Sequence, residues 1–177
     1  MSDERTGRTW KRVVPERDYK KIEAILYGYA DMIQEIKDWK ESTMFGSRKP
    51  DDGMPRGHAH ISDPTALATI KMMDPPPRIL ENMHWIEVVD TTLRKLKALD
   101  RESGTNLFDI CRIYYHIESL TSRYGRRNPA AVLQELADKF HTVYRNIAKD
   151  KDLIVTHCYT IAVWKGMLSP IDEDTEE

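Results

Sequence analysis

Apolar residues recur at alternating spacings of three and four in the first quarter of the chain, between Pro15 and about Ser42. A repeat of three and four places all of its members on one side of an α-helix and leaves the other side to charged residues. The members of this stripe are Tyr19, Ile22, Leu26, Tyr29, Ile33 and Ile36. The pattern therefore predicts one long amphipathic helix with a single buried stripe.

A second stripe of the same kind runs from about Pro77 to Leu99 and predicts another long helix. Its members are Ile79, Met83, Ile86, Val89, Leu93 and Leu96. Between the two stripes the stretch "GMPRGHAHISDPTALATI" breaks the helical pattern, and Asp63 followed by Pro64 has the form of a new helix start. Two helices of similar length predict an antiparallel hairpin, with the segment 45–75 crossing its end.

A second unit is predicted after Gly104, which interrupts the chain in "DRESGTN". Three short helices fit the following residues, one of them starting with Asn128 as N-cap and Pro129 as its first residue. The predicted fold is therefore all-α, a long helical hairpin followed by a helix-turn-helix-like module. The predicted regions are a flexible basic arm at 1–14, the hairpin at 15–100 with a loop at 45–62, the module at 105–168, and an acidic tail at 169–177.

A helix-turn-helix places its second helix in the major groove of DNA, where the first residues of that helix reach base edges. Arg145 can bind guanine and Asn146 can bind adenine, while Thr142 and Tyr144 suit phosphate oxygens. The same side chains also fit the rim of a helical bundle, so both interpretations remain open. The predicted DNA-binding residues are Arg126, Arg127, Thr142, Tyr144, Arg145, Asn146 and Lys149.

The long loop between the stripes is a connector or a contact surface. Long loops in compact domains are often functional, and basic and histidine side chains here outnumber Asp51 and Asp52. The predicted partner-contact residues are Arg48, Lys49, Arg56, His58 and His60.

Charge and cysteine content restrict the class of protein. The net charge of −2 excludes a generally basic nucleic-acid binder, although a local basic face is possible. Cys111 and Cys158 lie in apolar helical patterns and are expected to be buried thiols in a reducing compartment. No stretch approaches the length of an apolar membrane span. We therefore expect a cytoplasmic protein.

Catalytic motifs are missing from the sequence. His58 and His60 lack further ligands at metal-binding spacing, and Asp51, Asp52 and Asp63 sit in turn or cap positions. The chain has no phosphate-binding glycine loop and no nucleophile elbow. The sequence therefore predicts no enzyme, no metal and no cofactor.

Several segments resemble the RinA and ArpU class of bacteriophage late-gene transcription regulators. They are "YKKIEAILYGYADMIQEIKDWKE", "DGMPRG" with "SDPT", "IEVVDTTLRKLKAL", "TVYR" and "AVWKGML", within residues 18–168. The resemblance implies a helical N-terminal region joined to a module similar to the promoter-reading domain of sigma factors. It also implies binding of double-stranded DNA and activation of late genes through host RNA polymerase.

The sequence departs from that class at one place. A single residue, His141, joins "LADKF" to "TVYR" where the class has a longer turn that contains a serine. A loss of more than one helical turn predicts that 132–148 can run as one helix, with the break moved to "KDKD" at 149–152.

Two alternative functions remain open, and a damaged DNA reader favours the first of them. One is a phage counter-defence inhibitor, of the anti-CRISPR kind, that binds a host nuclease or its nucleic acid. The other is a small terminase subunit, for which the apolar stripes supply an assembly surface. The same stripes predict a homodimer.

Overall fold

The computed structural model describes residues 14–45, 64–117 and 128–170. These residues form seven α-helices and no strand, which confirms the predicted all-α class. The helices are α1 (Glu16–Tyr27), α2 (Tyr29–Phe45), α3 (Pro64–Met73), α4 (Pro77–Ser103), α5 (Leu107–Tyr114), α6 (Pro129–Lys139) and α7 (Tyr144–Trp164). Within the described ranges, none of these helices has the length and apolarity that crossing a membrane requires.

The first predicted helix is interrupted at Gly28, which separates α1 from α2. Glycine is a weak helix former because it loses the most backbone freedom on folding. Hydrogen bonds nevertheless continue through this point, since Gly28 N donates to Ala24 O at 2.9 Å and Met32 N donates to Gly28 O at 2.9 Å. The buried members of the predicted stripe are Tyr19, Ile22, Leu26, Tyr29 and Ile36.

Helix α4 packs against three other helices, α2, α5 and α7. Its buried residues include Trp85, Val88 and Thr92, which the predicted stripe omitted, while Met83 and Ile86 are only half-buried. A narrow stripe of apolar residues spaced by three and four is what a helix shows when it packs against one neighbour. Since α4 has three, its buried face is wider and is rotated from the predicted one.

Helix α7 joins the two predicted regions in one buried core. It packs against α1 and α4 as well as against α5 and α6. The core cluster therefore includes residues from both sides of Gly104, among them Ile22, Leu96 and Ile154. Cys111 and Cys158 belong to it as free, buried thiols, as predicted. The division into regions and the antiparallel hairpin stay predictions.

The junction between α4 and α5 depends on one carboxylate. Gly104 ends α4 with a φ of 65°, in the left-handed region that favours glycine. Asp100 then accepts three hydrogen bonds beyond the junction: Oδ1 from Thr105 Oγ1 at 2.6 Å and Leu107 N at 2.8 Å, and Oδ2 from Phe108 N at 2.9 Å. Asp100 thus caps the N-terminus of α5, whose own N-cap, Asn106, makes no side-chain cap bond.

We expect Asp100→Ala to lower the free energy of unfolding by about 1–2 kcal/mol, because the backbone N–H groups at the start of α5 lose their acceptor. Urea denaturation followed by circular dichroism measures this. The matched control is Asp109→Ala, since Asp109 lies in the first turn of α5 but only pairs weakly with Arg112 at 3.8 Å. Equal losses for the two variants would contradict the capping role.

Candidate functional site

A tight turn joins α6 to α7 at the junction that the sequence analysis called shortened. Thr142 N donates to Ala137 O at 2.9 Å and His141 N donates to Asp138 O at 3.3 Å, while His141 has a φ of 50°. This pair of bonds around one left-handed residue is the Schellman arrangement that ends many helices. The connection consists of residues 140–143, and its hydrogen bonds use the carbonyls that the last turn of α6 leaves unpaired.

The predicted continuous helix over 132–148 is therefore wrong. Helix α6 ends at Lys139, α7 begins at Tyr144, and α7 passes through 149–152 without a break. The number of residues between the two motifs did not predict this turn, because histidine can occupy the left-handed position that glycine usually takes.

The turn places three of the predicted DNA-binding residues at the exposed start of α7. Arg145 and Asn146 lie in its first turn, and Lys149 follows them by four and three residues on the same side of the helix. Thr142 lies in the turn itself, before α7 begins. Asn146 Nδ2 donates to Thr142 Oγ1 at 3.1 Å, which fixes the two side chains against each other. Tyr144 is also exposed, on the neighbouring face. Within the described part of the chain, Arg145 has no carboxylate partner.

Residues 139–149, here named the basic end, carry positive charge from two sources. They contain three Lys or Arg residues, Lys139, Arg145 and Lys149, and no Asp or Glu. Helix α7 also starts here without a side-chain cap at Val143 and without an acidic residue in its first turn. Uncapped N–H groups and the helix dipole make such a terminus favourable for anions. The basic end is therefore suited to a phosphate or carboxylate ligand.

The other predicted site residues lie outside the described residues. Arg126 and Arg127 belong to this group, as does the whole partner-contact loop. The loop residues are Arg48, Lys49, Arg56, His58 and His60. Their roles stay predictions.

A second polar cluster, between α1 and α7, was missed by the sequence analysis. Lys151 Nζ lies 2.9 Å from Glu23 Oε1 and sits over the rings of Tyr19 and Tyr114, at 5.4 and 5.7 Å. Tyr19 donates its hydroxyl to Asp152 Oδ1 at 2.6 Å. The available signal was the position of Lys151, which falls in the apolar stripe of α7 between Ile147 and Ile154.

The buried thiols do not supply a nucleophile. Burial raises the pKa of Cys158 to about 12, with a smaller opposing effect from the hydrogen bond to Thr92. Burial also raises the pKa of Cys111, to which the neighbouring Cys158 adds. Both thiols stay protonated at neutral pH, and the thiolate is the reactive form. Among the described residues no three His, Cys, Asp or Glu side chains form a group that could hold a metal ion.

No family model matches this chain, and no solved structure matches it. A curated protein that it resembles is the dTTP/UTP pyrophosphatase of Thermosipho melanesiensis, with 33% identity over 96 residues. The match covers 52% of this chain and 53% of that protein, so the chain spans about half the length of the curated relative it matches.

This similarity corrects the sequence-based predictions of enzymatic activity and of function. The relative is named as an enzyme that acts on nucleotides, which contradicts both a non-enzymatic chain and a late-gene transcription regulator. It equally contradicts the counter-defence inhibitor and the terminase subunit. The resemblance to the RinA and ArpU class stays a prediction about family, separate from the corrected function.

The geometry of the turn leads to a stability test. We expect His141→Gly to raise the free energy of unfolding by about 0.5–1 kcal/mol, because glycine adopts the left-handed conformation without steric cost. Thermal denaturation measures the change. The control is His84→Gly, at an exposed position inside α4, which should lose about 1 kcal/mol. A loss in both variants would mean that residue 141 lies inside a continuous helix.

Proposed function

We propose that this chain is a nucleotide hydrolase that acts on pyrimidine nucleoside triphosphates. The observation that carries the proposal is the similarity to a dTTP/UTP pyrophosphatase over about half of each chain. The reaction would use water to cleave the bond between the α-phosphorus and its bridging oxygen. Its products would be a nucleoside monophosphate and pyrophosphate.

The basic end supports the proposal because a triphosphate is a compact, highly charged anion. Arg145 offers a planar fork of N–H donors that can bind two phosphate oxygens at once. The uncapped N–H groups at the start of α7 point along the helix axis and stabilise negative charge. Tyr144 is 43% exposed beside them, and its ring can stack on a nucleobase.

These residues would contribute binding and charge neutralisation. Cleavage places additional negative charge on the leaving pyrophosphate, and positive groups held in place before the reaction stabilise that charge. The substrate would be the Mg²⁺ complex of the nucleotide, so the ion arrives with the triphosphate. Thr142 and Asn146, bonded to each other, would keep the first turn of α7 in position.

The test is to incubate the full chain with UTP or dTTP and Mg²⁺ and to measure pyrophosphate and monophosphate by ion-exchange chromatography. We expect equal amounts of the two products. Arg145→Ala should lower kcat/KM by about ten- to a hundredfold, the loss expected when a hydrogen bond to a charged group is removed.

Arg94→Ala is the matched control, since Arg94 is an exposed arginine on α4 that bonds within its own helix. It should leave kcat/KM unchanged. Wild-type protein that releases no pyrophosphate from UTP, CTP or dTTP would overturn the proposal. Product formation that is unaffected by Arg145→Ala would keep the activity but move its site elsewhere.

The partners predicted from the sequence are untested and stay predictions. They are double-stranded DNA, host RNA polymerase or another host protein such as a CRISPR nuclease, and a second copy of the chain. A cytoplasmic location stays with them. DNA and nucleotides share phosphate groups, so both could bind at the basic end. Duplex DNA added to the hydrolysis assay tests this, because competition for the same site would raise the KM for the nucleotide.

A further inference from the structure

Helix α7 has a lysine in its buried stripe. Ile147, Lys151, Ile154 and Cys158 are spaced by four, three and four, and the three apolar members are fully buried. The Lys151 side chain is only 17% exposed. An apolar residue at position 151 would continue the buried stripe, so the presence of a charged lysine there needs a separate explanation.

Helix α1 supplies the partners that make the buried charge tolerable. Glu23 provides the opposite charge at 2.9 Å with its own side chain 24% exposed, and the Tyr19 ring covers the ammonium group. The next residue of α7, Asp152, accepts the Tyr19 hydroxyl. Two consecutive residues of α7 are therefore held by two residues of α1 that lie one helical turn apart. We name these four residues, Tyr19, Glu23, Lys151 and Asp152, the α1–α7 clasp.

The clasp favours one arrangement of α1 on α7. A half-buried charge is costly when it loses its partner, because the charge is then desolvated without compensation. Two apolar helix faces can slide along each other at little cost, whereas paired polar groups favour one position of α1 along α7.

The clasp is close to the basic end along α7. Lys151 follows Tyr144 by seven residues, which corresponds to about 10 Å along a helix. Between them only Ile147 is fully buried, while Tyr144, Arg145, Asn146 and Lys149 are exposed. The first two turns of α7 thus have few apolar contacts of their own, and regions with few such contacts unfold locally at low cost.

We propose that the α1–α7 clasp is a positioning device that keeps the first two turns of α7 helical and so maintains the anion-binding geometry of the basic end. Docked α1 holds those turns in place, and release of α1 frays them. Its effect on ligand binding rests on the proposed function, whereas its effect on the start of α7 does not.

Hydrogen exchange of the full chain, followed by mass spectrometry, tests the clasp without any ligand. Glu23→Gln should make the amides of 144–152 exchange about tenfold faster, since a hydrogen bond to a charged group is lost, while those of 85–96 in α4 keep their rate. Tyr19→Phe, a milder change, should have a smaller effect in the same segment. Exchanging the charges in the double variant Glu23→Lys, Lys151→Glu should restore slow exchange.

Glu35→Gln is the matched control. Glu35 pairs with Arg78 at 2.8 Å and joins α2 to α4, so its loss should leave 144–152 unchanged. Unchanged exchange of 144–152 in Glu23→Gln, or an equal increase in every helix, would overturn the clasp.

Kinetics provides the second test. If the wild type hydrolyses UTP, Glu23→Gln should raise KM about tenfold with kcat within about twofold, because a frayed turn binds the phosphates less well. An unchanged KM in that case would overturn the positioning role. If the wild type hydrolyses no nucleotide, the proposed function fails, and the exchange experiment still decides whether the clasp exists.

Discussion

The packing of α4 is the constraint on which the rest of the structure depends. Trp85, Val88, Val89 and Leu96 are essentially inaccessible, and they form part of a core to which α1, α2, α5, α6 and α7 contribute. Thr92 is buried in the same face, and its hydroxyl is satisfied because it donates to Val88 O at 2.8 Å in the preceding turn. A helix of 27 residues with neighbours on three sides determines where each of those neighbours can lie.

Polar contacts then determine how the outer helices sit on this core. Tyr29 of α2 donates to Asp90 Oδ1 of α4 at 2.5 Å, and burial together with the nearby Asp90 carboxylate raises the pKa of the tyrosine well above its usual value. Glu35 of α2 accepts from both Arg78 and Asn82 of α4, and the clasp joins α1 to α7. Apolar burial supplies most of the stability but is insensitive to small shifts, so these directional contacts select one arrangement.

The sequence was most informative where one residue decides a local conformation. Asn128 and Pro129 start α6 as predicted, with Asn128 Oδ1 accepting from Ala130 N at 3.1 Å, and Gly104 ends α4. It was least informative where conformation depends on distant packing. The rotated buried face of α4 follows from its several neighbours, and the use of Lys151 in a buried stripe requires Glu23, which lies 128 residues away. Helical periodicity contains no information about either.

The basic end shows why a function cannot be derived from binding residues alone. Arginine, an exposed tyrosine and an uncapped helix N-terminus recognise phosphate oxygens and aromatic bases, and DNA and free nucleotides both contain these groups. DNA was the predicted ligand because these residues follow a short turn between two helices, and the structure does contain that turn. A turn of this kind, however, is also an ordinary way to end one helix and expose the N-terminus of the next. Under the proposed function the ligand is a free triphosphate, which concentrates its charge on the few groups that one helix end can offer.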